Sequence, residues 1–345
     1  MDIRYQKPLG HTQAVFLMVA VALLWSMAGV VTRQLESAAR FEVTFWRSAF
    51  TAITLILILP LWRRNRAAQQ AGQAKTSGRS GLGRVLNRYW GVVPESRAFW
   101  ISGLCWSVMF SAFMLALTFT SVANVLIIMS LGPLLTALVA RVFIGQGLPL
   151  RTWLACMAAG AGIVYMYGSQ LVAAMTASEA GVSSLVTGSL IALCVPVAAS
   201  VNWTVVQRSQ TQGATVDLVP SVLLGACLSS LYTLPLAVPF AATTADVAWL
   251  ALLGIFQLAI PCALSVVCAR VLKAPEISLL ALLEVIFGIL LAWLGAGEQP
   301  GTNVLLGGGV VIGALFMNEL MGWRSRRGTP RIQTLTAQKA QDHMR

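Results

Sequence analysis

The sequence predicts an all-α polytopic membrane protein with ten transmembrane helices, arranged as two five-helix inverted repeats. Three observations lead to this prediction. Only 10% of the 345 residues are charged and 57% are hydrophobic, whereas a soluble domain carries about 25% charged residues. Apolar runs of about 20 residues, the length that crosses a bilayer, recur ten times. A shift of 152 positions also aligns marker residues of the two halves, with few direct identities.

The ten predicted spans are separated by short polar or Gly/Pro-containing breaks, of which the turn at 118–124 is the weakest. The first span is about 19 residues long, longer than the apolar core of a cleaved signal peptide, which is about 7–15 residues, so we expect it to be retained. The predicted spans are 14–32, 43–62, 99–119, 121–144, 150–171, 185–206, 218–240, 246–270, 276–296 and 303–323.

Positive charge is concentrated in two tails and one linker, since residues 1–13, 63–97 and 324–345 hold 16 of the 24 Lys and Arg residues. If the N-terminus is cytoplasmic, 21 of the 24 fall on the inner side and three on the outer, which are Arg33, Arg40 and the membrane-embedded Arg47. This asymmetry predicts that both termini are cytoplasmic. It favours anionic lipid headgroups, rather than nucleic acid, as the partners of the basic linker and tail.

The predicted domain organisation follows from these breaks. A cytoplasmic tail, 1–13, precedes a first repeat, 14–171, which contains the basic linker 63–97. A second repeat, 185–323, is followed by a basic cytoplasmic tail, 324–345. The linker is rich in Gly, Ser, Gln and Arg, a composition typical of flexible segments.

An internal repeat is indicated by the spacing of marker residues. A shift of 152 positions places 118–168 on 270–320 without a gap, so that Gly132-Pro133 falls on Glu284-Val285 and Gly145-Gln146 falls on Gly297-Glu298. Because each half has an odd number of spans, the second half enters the membrane in the opposite orientation. This is the inverted-repeat architecture of many secondary transporters.

Several short motifs resemble a known family. They are Leu24-Trp25-Ser26, Arg47, the run from Ala123 to Pro133, Leu282-Leu283-Glu284 and Gly297-Glu298. In order and spacing these motifs resemble the drug/metabolite transporter (DMT) superfamily, specifically a ten-span EamA-type transporter. Gln146-Gly147 stands where the first repeat usually has an acid, and Val285 stands where Pro is common.

The resemblance implies a secondary transporter that exports a small organic solute by alternating access across a bacterial inner membrane. Amino acids, related metabolites or drugs are the cargo that it implies. Two alternatives remain at this stage: a membrane-embedded enzyme acting on a lipid or lipid-linked substrate, and a non-transporting scaffold whose linker recruits partners.

Polar and aromatic residues near mid-membrane depth are the candidate substrate-binding residues. Glu284 lies about nine residues into its span, roughly 13 Å deep by helix rise. An acid at that depth costs about 2.5–3.5 kcal/mol, so it should face a cavity or a partner. For the Trp and Ser residues, ordinary helix packing is the alternative role. The candidates are Trp25, Ser26, Trp106, Ser107, Ser130, Ser200, Gln257 and Glu284.

Three further residues are candidates for coupling or gating together with Glu284. Arg47 carries the obvious counter-charge, but helix rise places it roughly 10 Å from Glu284 in depth, too far for a direct pair. An outward-pointing, structural Arg47 is therefore the favoured expectation. Pro133 and Pro261 interrupt spans and are the candidate hinges.

The sequence lacks the motifs of several kinds of catalytic site and cofactor-binding site. The two histidines, His11 and His343, lie in the predicted tails, and the six cysteines lie in apolar spans without metal-ligand spacing. A Walker-type nucleotide loop is also absent from the sequence. We therefore expect no metal, no cofactor and no enzymatic activity.

Overall fold

The described part of the chain consists of helices and their connections. The computed structural model describes residues 9–70, 90, 96–120, 122–145, 147, 149–175, 179–211, 217–296 and 301–327. Most of the predicted linker and of both predicted tails therefore lies outside the described residues, as do the lipid contacts expected of them.

Thirteen α-helices, one 3-10 turn and one π-helical segment make up these residues. The helices of the first half are α1 (His11–Val31), α2 (Arg40–Gln70), α3 (Arg97–Phe119), α4 (Val122–Met129), α5 (Gly132–Ile144) and α6 (Leu150–Met175). Those of the second half are α7 (Glu179–Thr211), α8 (Pro220–Ala237), α9 (Thr244–Leu252), α10 (Ile260–Cys268), α11 (Ala274–Ala281), α12 (Leu283–Ala296) and α13 (Thr302–Arg327).

Eight stretches of helix are long and apolar enough to cross a membrane among the described residues. They coincide with the predicted spans one to four and six to nine. The fifth and tenth predicted spans correspond to shorter apolar stretches, Leu150–Met166 and Thr302–Asn318. The chain is therefore a multi-pass membrane protein.

Three predicted spans are not continuous α-helices. The fourth breaks at Ser130–Leu131 between α4 and α5, where Pro133 cannot donate a helical hydrogen bond. The ninth breaks at Leu282 between α11 and α12. The eighth contains the π-helical segment Leu253–Ala259 between α9 and α10. The irregularities in the fourth and eighth spans lie beside Pro133 and Pro261, the two prolines that were predicted to interrupt spans as hinges.

Two predicted polar segments begin as helix instead of linker or tail. Helix α2 extends to residue 70, so positions 63–70 of the predicted linker continue the second span. Helix α13 extends to residue 327, so the first four residues of the predicted C-terminal tail are helical. Hydropathy marks where a helix leaves the apolar layer, but a helix continues into water when no helix-breaking residue stops it.

The start of α1 and the C-terminal part of α13 lie at the same end of the bundle, here called the terminal end. A chain of side-chain contacts links the neighbouring helix ends there. Thr152 Oγ1 donates to Asn318 Oδ1 (3.1 Å), Arg208 Nη1 donates to the Phe143 carbonyl (3.4 Å), the Ala274 N–H donates to Gln207 Oε1 (2.8 Å), and His11 Nε2 lies 3.4 Å from Glu276 Oε2. An even number of membrane crossings is consistent with this arrangement.

Buried apolar residues fill the interior of the bundle from the cavity towards the terminal end. One buried apolar cluster joins α1, α2, α3, α7, α8, α10 and α11, and includes Met18, Leu59, Phe99 and Ile277. The Arg270–Asp217 salt bridge connects the ends of α10 and α8 beside it. The apolar cluster thus closes the space between the two halves at this end.

Candidate functional site

A cavity of about 120 Å³ lies where helices of both halves meet near the middle of the bundle. Helices α1 to α5 contribute from the first half, and α7, the π segment, α10, α11 and α12 contribute from the second. Most of the wall is apolar and aromatic, as in small-molecule sites generally. The polar groups in the wall are therefore few and can each be examined.

Two opposite charges face this cavity. Arg47 of α2 and Glu284 of α12 both line it and interact electrostatically. They form no salt bridge with each other, and the Glu284 carboxylate forms no hydrogen bond within the described part of the chain. Glu284 lies in the first turn of α12, next to the break at Leu282, where the helix dipole favours a negative charge.

Arg47 is buried rather than directed outward. Its residue exposure is 2%, and its Nη1 donates to Met114 Sδ at 3.1 Å. A thioether is only a weak acceptor. Its Nε–H has no hydrogen-bond partner. The expectation that Arg47 points away from the cavity was therefore wrong. Its backbone lies one helical turn from the end of the span, but the long side chain still reaches inward to the cavity.

Two further polar atoms of the cavity residues lack partners. The Trp106 indole N–H is buried and unpaired. Gln257 Nε2 donates to the Trp25 carbonyl at 3.4 Å, which fixes the amide orientation and leaves the buried Gln257 Oε1 unpaired. Buried polar groups without partners cost free energy, so such groups at a cavity commonly serve a ligand.

Four of the eight candidate substrate-binding residues line the cavity, namely Trp25, Trp106, Gln257 and Glu284. The other four do not, because their hydroxyls are directed elsewhere. Ser26 Oγ donates to the Leu23 carbonyl, Ser130 Oγ to the Ile127 carbonyl and Ser200 Oγ to the Val197 carbonyl, each three residues earlier in the chain, while Ser107 Oγ donates to Tyr232 Oη.

Both candidate hinge prolines lie next to helix irregularities. Pro133 stands in the first turn of α5, directly after the break at Ser130–Leu131. Pro261 stands in the first turn of α10, directly after the π segment. Neither proline lines the cavity, and both are buried. They are therefore placed to shape the backbone beside the cavity walls rather than to touch a solute.

Several cavity residues were not among the sequence candidates. Trp203 of α7 packs edge-on against Trp106, with ring centroids 5.6 Å apart. Phe110 and Phe113 lie one and two turns along α3 from Trp106 and extend the aromatic wall. Ser278 adds a hydroxyl from α11. Spacings of four and seven residues from Trp106, which place Phe110 and Phe113 on the same helix face, are the signal that could have found the two phenylalanines.

The spacing of the cavity-lining residues matches the shift that the sequence predicts between the two halves. Five pairs of lining residues are separated by 152 positions. The pairs are Trp106 and Leu258, Phe110 and Cys262, Leu126 and Ser278, Met129 and Ala281, and Gly132 and Glu284.

The helix breaks follow the same spacing. At the first, the Ser130 N–H donates both to the Leu126 carbonyl (3.0 Å) and to the Ile127 carbonyl (3.2 Å), and at the second the Leu282 N–H donates to the Leu279 carbonyl (3.2 Å). Both breaks therefore include a bond to the third preceding residue, as at the ends of helices. Ser130 and Leu282 are again 152 positions apart.

Comparisons with known proteins agree with this architecture. Residues 12–168 match the model of the EamA-like transporter family. A solved crystal structure superposes on 91% of this chain and 98% of its own chain, with a TM-score of 0.67 and 15% sequence identity, so the two share a fold. No curated protein matches the sequence. Residues 12–168, which include the first predicted repeat except its last three residues, are therefore similar to the EamA-like transporter family.

Proposed function

We propose that the chain is a secondary transporter that exports a small organic solute across the bacterial inner membrane. In this proposal the two halves are inverted five-helix repeats, and the solute site between them opens alternately to the two sides. The observation that carries it is the cavity near the middle of the bundle, which holds Arg47 and Glu284 without a salt bridge between them. Charged groups inside a membrane protein commonly mark a solute or ion pathway.

The packing of the helices supports two equivalent halves. When each span of the first half is exchanged with its counterpart, several of the helix contacts map onto one another. Counterparts contact each other directly in α2 with α8, α5 with α11, and α6 with α13. The contact of α3 with α7 likewise has its counterpart in the contact of α10 with α1. Such exchange symmetry is the basis of alternating access in repeat transporters.

The closed terminal end supports a conformational cycle. The apolar cluster and the Arg270–Asp217 salt bridge seal the bundle between the cavity and this end. A solute can cross only if this seal opens in another conformation. The breaks beside Pro133 and Pro261 supply places where helices change direction without losing long runs of hydrogen bonds.

The distribution of positive charge is the basis for the proposed orientation of the protein in the membrane. Positive residues cluster in the predicted tails and the linker, so the terminal end is assigned to the cytoplasm. Solute export then runs from the terminal end to the opposite end. Anionic headgroups of the inner leaflet are the proposed partners of the linker and the C-terminal tail.

Transport in a purified system tests this function. The protein is reconstituted into proteoliposomes, and efflux of a panel of amino acids, related metabolites and cationic drugs is measured with and without a proton gradient. We expect saturable movement of at least one solute above protein-free liposomes. If no panel member moves faster through the protein than through lipid alone, under either condition, the carrier proposal fails.

Glu284→Gln tests the role of the cavity carboxylate. We expect normal expression with at least a tenfold loss of transport or a changed pH dependence, since the amide cannot carry the charge. Glu36→Gln is the matched control, because Glu36 is an exposed carboxylate outside the cavity. Transport by Glu284→Gln that equals wild type at every pH would remove Glu284 from the mechanism.

A further inference from the structure

A second cavity, of about 140 Å³, lies in the corner where α2, α3 and α8 meet. Each of these helices contacts the other two, so the cavity is a gap in the packing of three neighbouring spans. Phe41 lines it from the first turn of α2, and Leu236 lines it from the last turn of α8. The second cavity is therefore near the end of the bundle that is opposite the terminal end.

Helix α3 separates the second cavity from the central one. Trp106, Phe110 and Phe113 line the central cavity from one side of α3. Ser111 and Leu115, four residues apart, line the second cavity from the other side of the same helix. In the described part of the chain, the two cavities have no lining residue in common. The second cavity thus lies outside the proposed solute site.

Hydroxyl groups of three residues in the wall of the second cavity are bonded within the protein. Tyr232 Oη donates to the Ser107 carbonyl (3.0 Å) and accepts from Ser107 Oγ (3.2 Å). Ser111 Oγ lies beside Tyr232 Oη and 2.8 Å from Ser229 Oγ. Thr233 Oγ1 donates to the Ser229 carbonyl at 2.6 Å. The surface that the wall presents to the cavity consists almost wholly of carbon.

The mouth of the second cavity opens on the outer surface of α8. Tyr232 and Leu236, one helical turn apart on α8, line the cavity and are 44% and 56% exposed. All three surrounding helices contain stretches that are long and apolar enough to cross a membrane, and the lining residues fall inside them. Exposed apolar side chains at this depth contact lipid hydrocarbon. The mouth is therefore continuous with the surface that faces the lipid.

An apolar cavity of this size favours an occupant. Protein interiors are densely packed, with few voids larger than a water molecule. Side chains around an empty void lose dispersion contacts that a filled void would provide. An apolar cavity of about 150 Å³ stays dry and can bind a molecule as large as benzene. A cavity of about 140 Å³ can therefore hold several methylene groups of a hydrocarbon chain.

We propose that the second cavity binds one acyl chain of a membrane phospholipid, which enters from the half of the bilayer at the end opposite the terminal end. The carbon surface of the wall and the mouth on the lipid-facing side select hydrocarbon. A polar solute would lose its hydrogen bonds to water without gaining new ones there. A bound chain would support α3 on the side opposite the aromatic wall of the central cavity.

Photo-crosslinking tests the site directly. The full-length protein is placed in detergent-free nanodiscs that contain phosphatidylethanolamine with a diazirine in one acyl chain. After illumination, labelled residues are mapped by mass spectrometry. Comparison among leucines removes differences in side-chain reactivity: Leu115 lines the cavity and is half-buried, whereas Leu231 and Leu190 are exposed and line neither cavity. We expect at least fivefold more label on Leu115 than on either exposed leucine, because a chain held in the cavity stays next to it.

Two variants that fill the cavity extend the test. Leu236→Trp enlarges an apolar side chain at the mouth, and Phe41→Trp enlarges one at the start of α2. Each should lower the label on Leu115 at least fivefold. Leu231→Trp is the matched control, because it makes the same enlargement on α8 away from the cavity. It should leave the label on Leu115 within twofold of wild type.

The wild-type result alone can overturn the proposal. Label on Leu115 that does not exceed the label on Leu231 and Leu190 would show that no chain is held in the cavity, even if a variant fails to fold. Undiminished label on Leu115 in both filling variants would also overturn it. The readout does not depend on transport. The acyl-chain site can therefore be found in a protein that moves no solute, and its absence leaves the carrier proposal standing.

Discussion

Gly162 of α6 and Gly307 of α13 face each other backbone to backbone. A Cβ atom on Gly307 would lie 2.5 Å from the Gly162 carbonyl oxygen, and one on Gly162 would lie 2.8 Å from the Gly307 carbonyl oxygen. Both distances are shorter than van der Waals contact, so only glycine permits this approach. The pair joins the fifth and tenth predicted spans, where small residues allow the close helix packing that stabilises membrane proteins.

Gly307→Ala is therefore expected to force α6 and α13 apart. Overpacking of this kind costs about 1–3 kcal/mol in unfolding free energy. Thermal unfolding in detergent, followed by size-exclusion chromatography, measures the loss. Gly309→Ala on the same helix is the control, because a Cβ at that position meets nothing within 4 Å. Equal melting temperatures for the two variants would contradict the close-contact role.

The spans could be predicted from the sequence because they depend on bulk properties. The length and apolar content of a segment decide whether it can cross the membrane, and neither depends on what the helix contacts. The break at Ser130–Leu131 also has a local sequence signal in Pro133. The break at Leu282 has none, since neither Pro nor Gly occurs within several residues of it. Tertiary packing must therefore determine the position of that break.

The candidate site could be predicted only in part, because the depth of a residue in the membrane does not determine the direction in which its side chain points. Helix rise placed Ser26, Ser130 and Ser200 at cavity height, but successive residues also rotate around the helix. Their hydroxyls instead bond to carbonyls of their own helices. Trp25 and Glu284 satisfied both conditions. Arg47 was misjudged in the opposite way, since a long side chain reaches well beyond the depth of its backbone.

Glu42 is expected to stabilise the end of the bundle opposite the terminal end. Its carboxylate, 0% exposed, accepts hydrogen bonds from the backbone N–H groups of Ala241 (2.9 Å) and Ala242 (3.0 Å). This contact ties the start of α2 to the connection between α8 and α9. Glu42→Ala leaves those N–H groups without their acceptor, and should lower the unfolding free energy by about 1–3 kcal/mol.

The measurement is again thermal unfolding of the purified protein. Glu36→Ala is the matched control, because the Glu36 side chain is exposed and its replacement removes no acceptor from the N–H groups of Ala241 and Ala242. Glu42→Gln should fall between the two, since one carboxamide oxygen can still accept. A melting temperature for Glu42→Ala equal to that of Glu36→Ala would show that the carboxylate does not hold the connection.

The proposed orientation predicts which loops a membrane-impermeant thiol reagent reaches. Glu36 and Gly147 are both exposed residues in connections, and the positive-inside assignment places Glu36 outside and Gly147 inside. Intact cells should therefore label Glu36→Cys but not Gly147→Cys, and permeabilised cells should label both. Wild type gives the background, because its six cysteines lie in the predicted spans. Labelling of Gly147→Cys alone in intact cells would reverse the topology.

Under the proposed function, replacing either candidate hinge proline should slow transport more than it weakens solute binding. Pro133 and Pro261 stand beside helix irregularities at the cavity, and alanine would restore a backbone N–H that can extend the regular helix. A straighter helix changes direction less readily, so we expect each variant to lower the maximal transport rate several-fold while KM changes less than twofold. Pro235→Ala is the control, because Pro235 is exposed near the C-terminal end of α8 and does not adjoin the cavity. Rates equal to wild type in both hinge variants, or a loss confined to KM, would assign these prolines to packing instead of to the conformational change.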